Sequence, residues 1–223
     1  MILDTMDLFE MRRCLRPTVI ELYGYVVNVV KRLQKDLKKG QKLTITKKKR
    51  IDNIEWYLTL FILRDKKLEK IKKPAACCFY GILRNIKGQD YVLCYNIYYN
   101  SVIKYSVHFF KRYRERFLKN ESLSLEDTVK IFFERNPTSR CKNISTGYVS
   151  ECPDGICISN DKRRKANDNF GMNQVVSFNT FLTRDMLNRN QGERFLFLTE
   201  EEVRQLDPFN VLRVMATETK EPY

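Results

Sequence analysis

The stretch Ile54-Glu55-Trp56-Tyr57-Leu58-Thr59-Leu60-Phe61-Ile62-Leu63 is aromatic, branched and almost unbroken in its apolar character. A strand with one wet face would alternate polar and apolar residues, so this run predicts a strand buried on both faces. On its C-terminal side, 76–83 and 91–97 flank Asn85-Ile86-Lys87-Gly88-Gln89-Asp90, which has hairpin composition, and 101–105 predicts a further short strand. Two helices follow. The first covers 107–119 with Ser106 as its N-cap, and the second starts near Ser124 and carries Leu125, Val129, Phe132 and Phe133. Beyond Pro137, segments 147–151, 155–159 and 174–181 predict strands, and the basic insert 160–169 predicts a loop. Thr183 is placed to cap a short helix through Asn188, and Thr199-Glu200-Glu201-Glu202 is a capping-box pattern that opens a last helix.

On the N-terminal side, Val19, Leu22, Tyr23, Val26, Val30, Leu33 and Leu37 recur at helical spacing over 18–39. Pro17 suits the first helical position and Gly40 a left-handed stop. The expected fold class is therefore α+β, with helices packed on a mainly antiparallel sheet and a basic helical attachment at the N-terminus. Three regions are expected: the attachment at 1–53, the α+β core at 54–199, and a C-terminal helix and tail at 200–223.

Charge is the strongest global signal. Against 27 acidic residues stand 41 lysines and arginines, a formal net charge of +14 in a chain of 223 residues. Residues 31–50 hold ten basic side chains and one acidic, and end in Lys47-Lys48-Lys49-Arg50. Such a field favours a polyanion: nucleic acid, an anionic surface or an acidic protein. No stretch approaches the length of a membrane span, and Met1-Ile2-Leu3-Asp4-Thr5 resembles no signal peptide, so a soluble cytoplasmic protein without membrane insertion is expected.

Seven cysteines, an odd number without Cys-x-x-Cys spacing, disfavour a disulfide framework. Cys152 and Cys157 could meet across Pro153-Asp154-Gly155, but zinc would need two more ligands and the chain has one histidine. No metal and no cofactor is expected.

That histidine lies in Ser106-Val107-His108-Phe109-Phe110-Lys111-Arg112-Tyr113-Arg114-Glu115-Arg116-Phe117. At about 100° per residue, His108, Arg112 and Arg116 share one side of a helix, with Lys119 near them, while Phe110, Tyr113 and Phe117 share the other. One imidazole and two guanidiniums in a row suit a phosphodiester. Guanidinium forks grip phosphate oxygens and stabilise the extra charge of a five-coordinate transition state, and the imidazole moves a proton. In RNA the neighbouring 2′-hydroxyl is an internal nucleophile, so such a site needs no metal.

The pattern Ser-x-His-x-x-x-Arg-Tyr-x-x-Arg, followed by a second helix beginning Leu123-Ser124-Leu125-Glu126-Asp127 and then by strands, resembles the RelE/barnase-like superfamily of small metal-independent ribonucleases and toxins over about residues 104–182. The resemblance implies His108 as acid or base and Arg112 and Arg116 as phosphate and transition-state contacts. Members often carry a hydroxyl residue late in the sheet. Ser177 and Thr180 are available, on opposite faces by alternation, and Thr180 is preferred. Lys111, Lys119, Lys47, Lys48, Lys49, Arg50, Arg163 and Arg164 are the candidate nucleic-acid contacts.

Three functions follow as expectations. The first is a toxin-like endoribonuclease, with RNA preferred over DNA and a cleft expected over the helix. The second is a non-catalytic nucleic-acid-binding protein of mobile-element or phage type, held by phosphate neutralisation. The third is an interaction module for an acidic partner such as an antitoxin. Arg112 and Arg116 closed onto carboxylates such as Glu115 or Glu126 would mark the helix as structural.

Overall fold

A computed structural model describes residues 6, 8–52, 54–66, 68, 75–84, 87–96, 101–145, 147–159 and 175–218. The apolar run forms β2 (Ile54–Leu63), buried without a break from Trp56 to Leu63. Its two faces meet different partners. Trp56, Leu58, Leu60 and Ile62 pack beneath the long helix α1 (Leu8–Asp36), while Tyr57 belongs to the core on the opposite face. Both faces are dry, which is why the sequence shows no alternation.

The helix α1 begins ten residues before the expected start, and Pro17 lies inside it rather than at its first turn. The apolar stripe Met11, Leu15, Val19, Leu22, Val26 and Val30 continues through the proline, so burial of the stripe outweighs one lost backbone hydrogen bond. Pro17 itself is exposed, where water can replace the missing donor.

The basic segment after α1 is a second departure. Within the region expected as a helical attachment, residues 42–51 form β1 (Lys42–Ile51), antiparallel to β2. Leu43, Ile45 and Ile51 pack into the α1 core, and that burial draws the lysines between them into an edge strand. The fold is α+β with an N-terminal helix packed on the sheet, as expected, and only residues 42–51 of that region join the sheet itself.

With β3 (Ala75–Arg84), β4 (Asp90–Asn96), β5 (Ser101–Ser106) and β9 (Val175–Phe178), these strands make a six-stranded sheet in the order β1-β2-β3-β4-β5-β9. All its pairings are antiparallel except β5 with β9. A second, four-stranded antiparallel sheet orders as β10 (Thr180–Leu182), β8 (Gly155–Ile158), β7 (Gly147–Cys152) and β6 (Arg140–Ile144). Expected as one strand, residues 174–181 therefore divide between the two sheets, with Asn179 at the corner and its N–H on the Ile158 carbonyl at 3.0 Å.

Between the sheets lie α2 (Val107–Tyr113) and α3 (Leu125–Arg135). Phe109, Phe110, Tyr113, Phe132 and Phe133 from the helices meet Tyr105, Phe178 and Phe181 from the strands in a continuous aromatic core. Both helices start where expected: Ser106 accepts from the Phe109 N–H and Ser124 from the Asp127 N–H. Of the C-terminal part, Leu187, Phe195, Leu196 and Phe197 cover the other face of the second sheet, while Phe209 and Leu212 pack on Leu63 and Ala76 of the first. The helix expected at 183–188 is a single 3₁₀ turn (Arg184–Met186), followed by α4 (Arg189–Phe195) with Asn188 in a capping box. The last helix is two, α5 (Glu200–Arg204), opened by the Thr199 capping box, and α6 (Pro208–Glu218), because Asp207 turns the chain and Pro208 restarts it. No described helix is long and apolar enough to cross a membrane.

All seven cysteines are free and only Cys14 is exposed. Burial pushes the thiols of Cys77, Cys94 and Cys141 up to about 12. Iodoacetamide at pH 8 should therefore modify Cys14 well ahead of the other six, read by mass spectrometry, and all seven together only after unfolding. A thiol whose folded value is raised stabilises the fold below its ordinary value near 8.5 and loses that contribution as pH rises toward 12, so thermal stability should fall above about pH 9.

Candidate functional site

The helix that carries His108 changes pitch. After α2 the chain runs through a π-helical turn (Arg114–Leu118) and closes with Lys119 in the left-handed region at φ 53°. Such turns recur at functional sites, and this one carries Glu115 and Arg116. It is fixed from outside: the Arg114 guanidinium donates to the Leu123 carbonyl, and the Tyr113 and Phe117 rings stack at 5.4 Å.

His108 is exposed on the first turn of α2, and Arg112 Nε donates to its Nε2 at 3.2 Å. In this geometry the Nε2 lone pair is taken up by the Arg112 guanidinium. Arg116 Nη1 donates to the Phe181 carbonyl at 2.6 Å, which pins the π turn to β10. Burial, and then the positive charge of Arg112, pull the Arg116 guanidinium below its usual range, so the two guanidiniums feel each other. The carboxylate beside them is Glu115, 3.8 Å from Arg112 and 3.8 Å from Lys111. Glu126 instead pairs with Lys48 at 2.7 Å. Among the described residues the closed carboxylate network that would mark the helix as structural is not formed: Glu115 is loosely paired with Arg112 and Lys111, and Arg116 bonds a backbone carbonyl.

The hydroxyl expectation is corrected. Thr180 lies opposite Ile158 in β10, and its neighbour Phe181 turns its ring toward Phe109 and Tyr113. Alternation then sends the Thr180 side chain to the face shared with Ile158, away from α2. Ser177 fails for the same reason, since Val176 and Phe178 occupy the helix side of β9. Backbone is what approaches the helix, at the corner residue Asn179, whose carbonyl accepts from Ser106 Oγ, and at Phe181 of β10, whose carbonyl accepts from Arg116.

The remaining basic candidates are dispersed. Lys111 is exposed beside Glu115, and Lys119 is exposed at the left-handed end of the π turn. The run 47–50 is split by strand alternation: Lys49 lies over the Tyr25 ring of α1, whereas Lys48 lies over Tyr57 on the other face and bonds Glu55 and Glu126. Those two carboxylates raise the Lys48 ammonium above its usual range, with Glu126 the larger influence. Arg163 and Arg164 lie outside the described residues. One cavity lies away from the ridge. With a volume of about 350 Å³, it opens between β1, α3 and the α5–α6 corner, lined by Thr44, Phe61, Pro153 and Phe209 among others, and none of His108, Arg112 or Arg116 reaches it. On the ridge itself His108 is exposed, while Arg112 and Arg116 are half-buried.

Sequence reasoning missed the anchor beneath the ridge. Asp154, in the turn between β7 and β8, accepts from Tyr113 Oη at 2.6 Å, from Arg135 Nε and Nη2 at 2.9 Å each, and from Asn136 Nδ2 at 2.9 Å. Burial first, and then the Asp154 carboxylate, raise the Tyr113 phenol above its usual range, keeping it a donor. The signal in the sequence was Asp154-Gly155 at a turn, which gave no hint of partners on two helices.

A scan against protein-family models, a search of curated proteins and a search of solved structures each returned no match.

Proposed function

We propose that the protein binds the phosphodiester backbone of RNA on the His108–Arg112–Arg116 ridge and cleaves it without a metal, by attack of the 2′-hydroxyl. The observation that supports this reading is the contact of Arg112 with an exposed His108 Nε2, beside a second guanidinium and one loosely held carboxylate. A phosphate taking the place of that contact would gain Arg112 and Arg116 as partners and free the imidazole lone pair. His108 then removes the 2′-hydroxyl proton, the 2′-oxygen bonds to phosphorus, and the bond to the 5′-oxygen breaks. The guanidiniums offset the charge of the five-coordinate state, and water returns a proton to the leaving oxygen.

The test is cleavage of mixed RNA in chelator by the wild-type chain and by His108→Ala. The substitution is expected to lower the rate by about 10²- to 10⁴-fold while leaving salt-dependent binding in place. Arg112→Ala and Arg116→Ala should each cost about 10²-fold or more in rate. The position of the ridge, away from that cavity, favours a second reading, a non-catalytic RNA-binding protein, and intact RNA with retained binding in the wild type would establish that reading in place of the first.

A further inference from the structure

The ten-residue strand β1 is an edge of the six-stranded sheet, and among the described residues no strand pairs with its outer side. Arg64 N–H donates to the Gln41 carbonyl, which fixes the phase of the β1–β2 ladder: odd-numbered residues of β1 bond β2, and Lys42, Thr44, Thr46, Lys48 and Arg50 turn their N–H and C=O groups outward. The side chains of these same residues face α3 and α6. Thr46 Oγ1 donates to Glu134, Lys42 pairs with Asp207 at 3.7 Å, and Thr44 lines the cleft of about 350 Å³ with Phe61, Pro153, Val203, Pro208 and Phe209. The recess also carries Glu134, Arg135, Arg204 and Asp207, so an edge strand and a recess lined by apolar and charged side chains adjoin at Thr44.

The charge on the edge selects the occupant. From Lys42 to Ile51 there are five basic residues and no acidic one, and Lys47 and Arg50 form no ion pair with any described residue. A second copy approaching edge to edge would set lysine against lysine, the arrangement by which sheet proteins suppress self-pairing. An acidic strand meets the opposite situation.

We propose that β1 accepts an acidic, extended peptide as a seventh strand, with one apolar side chain of the peptide seated in the cleft beside Thr44. Main-chain hydrogen bonds supply the affinity, while the lysines and the recess supply the selectivity. This surface is separate from the His108 ridge, and its test does not depend on RNA cleavage.

The probe is a fluorescein-labelled ten-residue peptide of alternating glutamate and valine with phenylalanine at one central valine position. Its control carries proline at alternate valine positions, with the same charge and no capacity to form a strand. Anisotropy at about 0.15 M salt is expected to show binding of the first peptide about tenfold or more tighter than of the second. Thr44→Pro removes one outward N–H without touching the β1–β2 ladder and should weaken the strand peptide about tenfold, as should Lys47→Glu/Arg50→Glu, which retains every backbone donor. Circular dichroism checks that each variant is folded. No binding, equal binding of the two peptides, or indifference to both variants would overturn the proposal. So would an edge that Thr44→Pro shows to serve a second copy, by lost self-association, or oligouridylate, by lost RNA binding.

Discussion

Replacing Asp154 by alanine is expected to destabilise the protein by about 3 kcal/mol, because a nearly buried carboxylate that satisfies three side chains is removed and its partners stay behind. Tyr113 Oη then has no acceptor, and Asn136 Nδ2 keeps only the Phe132 carbonyl. Arg135 is half exposed and turns to water, which keeps the figure at the lower end for such pairs. In a chain of this size the melting temperature should fall by about 6–12 °C. Asp154→Asn keeps acceptor capacity for Tyr113 and should lose roughly half as much. The loss should extend to function, since the Tyr113 ring supports the turn that carries Arg116. RNA cleavage measured well below the melting temperature should fall in Asp154→Ala while the far-ultraviolet spectrum stays the same. Equal melting temperatures for Asp154→Ala and the wild type would refute the anchoring role.

Glu151→Ala should cost more, about 4 kcal/mol, for a related reason. The Glu151 side chain is fully buried in β7, paired with Arg184, and accepts from the backbone N–H groups of Phe197 and Leu198. It thus fastens the 3₁₀ turn and the α4–α5 connection onto the second sheet. Alanine leaves a guanidinium and two amides with no acceptor. Glu151→Gln retains an acceptor for the amides and loses only the charge, and a loss of about half is expected by urea denaturation. A Gln variant as unstable as the Ala variant would place the whole effect in the ion pair.

How much of this was legible in the sequence follows from how local each signal is. The burial of β2 was legible because ten adjacent residues carry it, and the caps at Ser106, Ser124 and Thr199 because each acts within three residues. The strand at 42–51 was hidden by its own lysines, which resemble a solvated loop until Leu43, Ile45 and Ile51 are seen under α1. The corner at Asn179 depends on two sheets neither of which is local, and it reversed the inference about Thr180. Asp154 and Glu151 find partners 18 to 47 residues away, and no spacing rule connects them. Of the candidate site, the helix row was visible, while the π turn and the Arg116 contact with Phe181 were not.

The claim on which the function rests is that His108 activates the 2′-hydroxyl of RNA held by Arg112 and Arg116. It is tested most directly by the ends of the product. An oligonucleotide incubated in chelator should yield 2′,3′-cyclic phosphate and 5′-hydroxyl termini, and the same sequence with 2′-deoxy sugars should bind and remain whole. Termini with 5′-phosphate, cleavage of the deoxy strand, or RNA left intact by the wild-type chain would contradict it.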